Sequence, residues 1–246
     1  MQGIELITSK EFERMRDETD LAIIPVGAIE IYGPHLPLGT DSIVAERIAQ
    51  RVASRVKCFF IPVIPIGYSW GLMEYPGTLT VKPRTLEVYL GEVCDSLIYW
   101  GIRRILFLNT HLGNVQSINV IAEEIQRKHR VRCAQVDWWR FVKWQSEGIV
   151  ETGELAHGHA SETATSIMLY LLPEVVNLEC VKESSPHIKD NFPDVIQYPN
   201  FKSITETGTV GNPTVATAEK GEAIVERSVN RIVDFIECGF LPFPKD

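Results

Sequence analysis

The 246-residue sequence predicts an α/β fold built on a parallel sheet covered on both faces. Three observations carry this. Short apolar runs alternate with longer segments of helical periodicity. The short runs are apolar at nearly every position, as strands buried on both faces are. Composition also permits a full core. Hydrophobic residues make up 45% of the chain and charged residues 23%, and a chain of this length hides roughly 70–75% of its unfolded surface. Disorder and a disulfide-held miniprotein are thereby excluded.

Residues 21–29 (LAIIPVGAI) read as the first buried strand. Residues 42–56 follow as a helix, with Ile43, Val44, Ile48, Val52 and Val56 at helical intervals and Asp41 placed to cap it. Residues 58–66 (CFFIPVIPI) are the second strand, ending at Gly67. A helix over 85–101 is stopped by Gly101. Residues 104–110 (RILFLNT) form the third strand. The helix over 115–130 carries basic residues in its last turn, where the helix dipole favours them. Residues 131–139 (VRCAQVDWW) make the fourth strand. A helix around 162–172 ends at Pro173. Residues 181–213 hold SSP, NFP, YPN and GNP and read as loop, and 218–237 is a final amphipathic helix. No linker divides the chain and no repeat recurs, so a single domain over 1–246 is expected.

The formal charge is −8, from 24 Lys and Arg against 32 Asp and Glu. That balance argues against nucleic acid or an anionic membrane as partner, since phosphate binding needs clustered positive charge. The basic cluster of Arg127, Lys128 and Arg130 reads as solvated helix surface. Cys58, Cys94, Cys133, Cys180 and Cys238 are odd in number, scattered, and form no CxxC pair. This is the usage of a reducing cytosol, not of a disulfide framework or a Cys-type zinc site. The N-terminal residues lack an apolar core of the signal-peptide kind, and the apolar runs fall far short of the roughly 20 residues that span a bilayer. A soluble, cytoplasmic protein is expected.

In folds of this class, ligands bind at the carboxyl ends of the strands. Four of the six histidines fall in segments placed there: His35, His111, His157 and His159. Glu30, Asp41 and Glu162 lie in the same segments. Imidazole and carboxylate together suit zinc and other borderline divalent ions. Such an ion lowers the pKa of bound water and polarises a carbonyl, which is hydrolytic chemistry. Each residue also has a plainer reading. Asp41 could simply cap a helix, His111 could be a hydrogen-bonded structural histidine, and Asn109 and Asn114 are ordinary turn residues. Trp70, Trp138 and Trp139 are more often core than substrate wall. Glu30 is harder to dismiss, because a half-buried acid needs a partner.

Four segments stand in order along the chain: GAIEIYGPHLPLGTD, GYSWGLMEYPGT, NTHLGN and HASETATS, followed by GTVGNPTVATAEKG near the end. Together they resemble the creatininase (creatinine amidohydrolase) family, with its GxxEQHGPHLPLxTD, GxSxEHxxFPGT, NGHGGN and HAGExETS segments. The resemblance implies a three-layer αβα sandwich around a mostly parallel sheet. It implies a divalent-metal hydrolase, zinc or manganese, acting on a carbon–nitrogen bond of a small amide or cyclic amide. It also implies a homo-oligomer, commonly a hexamer. Carried over residue by residue, it makes Glu30, Asp41, His111 and Glu162 metal ligands and His159 a proton shuttle.

The sequence departs from that pattern where the second metal would bind. The family's Gln-His pair is Ile31-Tyr32, and a phenol with a pKa near 10 is a poor ligand. The Glu-His pair of the second segment is Gly71-Leu72, and HGGN is HLGN with Leu112. The expectation is therefore one ion per chain. Bound water would attack the carbonyl, Glu162 would serve as ligand or base, His159 would protonate the leaving group, and Tyr32 would donate to the oxyanion. Tyr32, Trp70, Tyr75, Trp138 and Trp139 would bind a flat substrate. Two other readings stay open: hydrolysis of a cyclic ketone or ester at the same site, and a non-catalytic small-molecule binder.

Overall fold

A computed structural model describes residues 3–186, 194–195, 197 and 199–241. Four strands form one parallel sheet: β1 (Leu21–Val26), β2 (Phe59–Phe60), β3 (Arg104–Asn109) and β4 (Arg132–Asp137). Their order across the sheet is β2-β1-β3-β4. The register sets Val26 opposite Asn109 and Asn109 opposite Asp137, so three strands end flush along one edge. The helices are α1 (Ser9–Arg16), α2 (Thr40–Ala53), α3 (Pro83–Tyr99), α4 (Val115–Lys128), α5 (Trp138–Gln145), α6 (Glu162–Leu171), α7 (Phe201–Ile204) and α8 (Ala218–Asp234).

Strand alternation sorts the core into two layers. Leu21 and Ile23 of β1 and Leu106 and Leu108 of β3 point to the face covered by α2, α5, α6 and α8. Ala22, Ile24, Ile105 and Phe107 point to the other face, where Leu86 and Leu90 of α3 and Ile118 and Ile121 of α4 meet them. This is the three-layer αβα sandwich. On the first face α6 and α8 press backbone to backbone. A Cβ at Gly221 would lie 1.9 Å from the Ser166 carbonyl oxygen, so only glycine permits the approach. No helix among the described residues is long and apolar enough to cross a membrane.

Several elements differ from their sequence reading, each for a local reason. Strand β1 stops at Val26, because Gly27 to Glu30 leave the sheet to build the site. Strand β2 has only two residues, since Pro62 and Pro65 lack the N–H that a ladder needs; an isolated pairing of Val26 with Ile64 continues its direction. Asp41 is not a cap. Gly39 holds that position, and Asp41 lies buried inside the first turn of α2. Strand β4 ends at Asp137, and Trp138 and Trp139 open α5 with no Gly or Pro to mark the change. Helix α1 is an addition to the sequence reading, and Thr8 and Glu11 mark its start with a capping box. Gly101, at φ +101°, follows the end of α3 as expected. The 181–213 stretch contains α7 and a bridge between Ser184 and Gly211; His187 lies outside the described residues.

Candidate metal centre

The chain leaves β1 through α2 to β2 on one side, while β3 lies on the other. The carboxyl ends of β1 and β3 therefore flank a topological switch point, where a crevice opens. Glu30 follows β1, Asp41 opens α2, and His111 follows β3. Their ligand atoms all lie within 4.8 Å of one another, and all three residues are buried. His111 Nδ1 is 3.2 Å from Glu30 Oε2 and 3.2 Å from Asp41 Oδ2.

The tautomer of His111 follows from its other nitrogen. Nε2 is 2.9 Å from the Tyr68 carbonyl oxygen, which can only accept, so Nε2 carries the hydrogen. Neutral His111 therefore turns a lone pair on Nδ1 toward two carboxylate oxygens. Three acceptors aimed at one point require a cation. With a proton as the only cation, His111 holds it. Burial alone would push the imidazole pKa down, but the Glu30 and Asp41 carboxylates hold it well above its ordinary value. Glu30 is opposed by burial too, yet His111 and His159 keep it below the carboxylate range. Asp41 is pushed up by burial and by the Glu30 charge, against the hydrogen bonds it accepts. Two carboxylates and one imidazole with its far N–H tied to a carbonyl fit a divalent ion such as zinc or manganese.

Surrounding groups fix these side chains. Ser69 Oγ donates to Glu30 Oε2 at 2.6 Å. The Trp139 indole N–H donates to Asp41 Oδ1 at 2.9 Å. Tyr32 is buried, and burial together with the Asp41 and Glu30 carboxylates pushes its pKa well up, so it stays a neutral phenol. The Tyr32 ring lies 4.4 Å from the His159 ring. His159 Nδ1 donates to the Gly208 carbonyl at 2.7 Å, which leaves Nε2 facing the site, 3.3 Å from Glu30 Oε1. Behind the cluster, Asn114 accepts from Tyr68 N–H and donates to the Gly27 carbonyl, and Asn109 bonds the backbone of His111 at both N–H and carbonyl. These two asparagines and Ser69 are working parts that sequence reasoning passed over; their position inside the quoted segments was the available signal. Gly113 is required here as well. A Cβ on it would lie 2.1 Å from the Tyr68 oxygen and 2.6 Å from His111 Nε2.

Above the cluster is a cavity of about 320 Å³, lined by Tyr32, Trp139, His157 and His159 among others. The family comparison decides which class of protein this is. The profile described as Creatininase: Creatinine amidohydrolase matches residues 5–236. The chain belongs to the creatininase family. A creatinine amidohydrolase of Pseudomonas putida is 29% identical, covering 96% of each chain. A mycofactocin precursor peptide peptidase of Mycolicibacterium smegmatis is 28% identical, covering 96% of this chain and 90% of its own. A 3-dehydro-scyllo-inosose hydrolase of Thermotoga maritima is 27% identical, covering 95% and 80%. A crystal structure of creatinine amidohydrolase superposes with a TM-score of 0.83 at 29% identity, over 97% of this chain and 98% of that one. Creatininase has been solved with manganese, at TM-score 0.80 and 28% identity over 97% and 98% of the chains. A mutant creatininase in a Zn–Zn form matches at 0.82 and 27% over 98% and 100%. This member is thus an enzyme of the creatininase type, with the donors for the same kind of ion.

Four expected residues do not join its site. Glu162 is fully buried but lies apart from the cluster. Its oxygens accept from the N–H groups of Glu151 and Thr152, from Thr152 Oγ1 and from Lys220 Nζ at 2.7 Å. Lys220 neutralises that charge in place of a metal. Trp138 is completely buried in the α2–α5–α6–α8 core, because it points down from α5 while Trp139 points into the cavity. Trp70 is 65% exposed and Tyr75 is buried with its hydroxyl given to the Thr205 carbonyl; neither lines the cavity. Tyr32 and Trp139, by contrast, both line the cavity. His157 lines the cavity, yet its Nδ1 pairs with Thr163 Oγ1 at 3.1 Å and does not reach the cluster.

Proposed function

We propose that the protein hydrolyses a carbon–nitrogen bond in a small amide or cyclic amide, using one divalent ion held by Glu30, Asp41 and His111. The observation that carries this is the convergence of three buried acceptors on one point. Zinc or manganese there supplies a polarised carbonyl and an acidified water. The protein's own groups do the rest. Tyr68 and Ser69 hold His111 and Glu30 in place. Trp139 orients Asp41, and neither its indole N–H nor the neutral phenol of Tyr32 offers a second set of ligands beside it, which supports one ion rather than two. His159, anchored through Nδ1, presents Nε2 beside Glu30, where it takes a proton during attack and returns it to the leaving nitrogen. The chain works as one domain and as a homo-oligomer, hexameric by resemblance, in the cytoplasm; the five unpaired cysteines support a reducing compartment.

A second reading, hydrolysis of a cyclic ketone or ester, is favoured by the relative named as a 3-dehydro-scyllo-inosose hydrolase. The protein loaded with zinc or manganese should be assayed on cyclic amides, short peptides, formamides and cyclic ketones. Turnover of carbon–nitrogen substrates that EDTA abolishes is the expected result. Turnover of ketones alone selects the second reading. Bound metal with no turnover of any class selects a binding protein.

A further inference from the structure

We infer that the cavity takes an uncharged amide bearing an aromatic or branched apolar group, and that it rejects substrates carrying a carboxylate or phosphate. This rests on the hydrolase reading above. Among the described residues, no lysine or arginine lines the cavity. Of the lysines on flanking elements, Lys143 pairs with Glu154, Lys220 pairs with Glu151 and Glu162, and Lys202 beside Phe201 lies over the Tyr75 ring at 5.9 Å. Glu30 and Asp41 already cancel the charge of one divalent ion, so an anionic substituent would enter with no permanently charged cation on the wall to pair it, at the cost of its lost hydration.

Several polar groups of the wall are occupied as well. Ser69 serves Glu30, Trp139 serves Asp41, and Thr163 pairs with His157. Much of the rest of the wall is apolar: Leu72, Leu112, Val142 and the ring of Phe201, which stands edge-on to His159 at 5.1 Å. Leu112 is 49% exposed at the mouth, and the turn that carries Leu72 also presents the exposed Trp70. Exposed apolar side chains grouped at a cavity mouth mark a surface that meets an apolar ligand.

Two hydroxamates test this by binding, independently of turnover. Calorimetry on the zinc-loaded protein would compare phenylpropionyl hydroxamate with the monohydroxamate of glutaric acid, which share the metal-binding end. The phenyl probe is expected to bind at least about tenfold tighter, the order of discrimination that an unpaired polar group imposes. Leu112→Lys, at an exposed position, should shrink that ratio by about fivefold or reverse it. Equal or tighter binding of the glutaric probe, or no binding of either, overturns the inference. The expected ranking without hydrolysis of any amide would leave it standing and remove the hydrolase reading instead.

Discussion

Each site residue has its role set by what its second atom touches. His111 offers Nδ1 because Nε2 is tied to the Tyr68 carbonyl, and Glu30 offers an oxygen that Ser69 has already fixed. Glu30→Gln or His111→Ala should therefore weaken zinc binding by more than about a hundredfold, beyond the loss typical of an outer hydrogen-bond partner, as titration calorimetry would read. Trp139→Phe, an outer partner, should cost about tenfold. Glu162→Gln should keep wild-type zinc affinity while lowering stability, because its partner is Lys220. Unchanged affinity in His111→Ala would mean that the donor set is wrong. His35 makes a different prediction. It is buried, its side chain is bonded only through Nε2 to Thr165 among the described residues, and burial pushes its pKa down to about 4. The unfolded chain, with an ordinary pKa near 6.5, then binds more protons than the native one between those values. Stability should be full above about pH 6.5 and fall by up to roughly 3 kcal/mol as pH drops toward 4. Denaturant melts of metal-free protein should show that slope, and His35→Gln should flatten it while costing stability at pH 7.

At the scale of elements, the sheet and its covering helices were legible because burial on both faces leaves an unbroken apolar run. Strands β1 and β3 carry such runs and were placed within a few residues. Boundaries were lost where no breaker marks them. Asp137 to Trp139 passes from strand to helix with no glycine or proline, and two tryptophans look alike until one turns inward and the other toward the cavity. The Lys220-Gly221 pair could be quoted as part of a segment, but its reasons lie far back along the chain: Glu162, 58 residues before the lysine, and Ser166 for the glycine. Gly221→Ala should force α8 off α6, costing about 2–3 kcal/mol and lowering Tm by about 5–10 °C in a chain of this size. Gly71→Ala, which meets nothing within 4 Å, should leave Tm nearly unchanged. A circular-dichroism melt of the two variants decides whether close packing or generic helix propensity sets the effect.

For the whole molecule, the strand order explains why residues from distant segments meet. With β1 and β3 adjacent and their connections leaving in opposite directions, whatever follows both strands shares one crevice. Sequence could nominate Glu30, Asp41, His111 and Glu162 together, since all four stand in the segments shared with the family. It could not separate Glu162, whose partner comes from the far C-terminal helix. The same accounting changes the meaning of the net charge of −8. Glu30 and Asp41 are buried charges facing inward, and only a cation makes them cheap to hold. Metal should therefore act as a folding ligand. At a hundredfold excess over Kd, an ion that binds only the native chain adds about 2.7 kcal/mol, a Tm rise of about 5–10 °C. Elemental analysis should find one ion per chain, and two would overturn the single-ion reading. Because His111 must surrender its extra proton to bind, and the carboxylates hold that proton well above the ordinary histidine range, affinity should rise with pH through neutrality. A Tm gain that does not grow between pH 6 and 8 would show that the ion sits elsewhere.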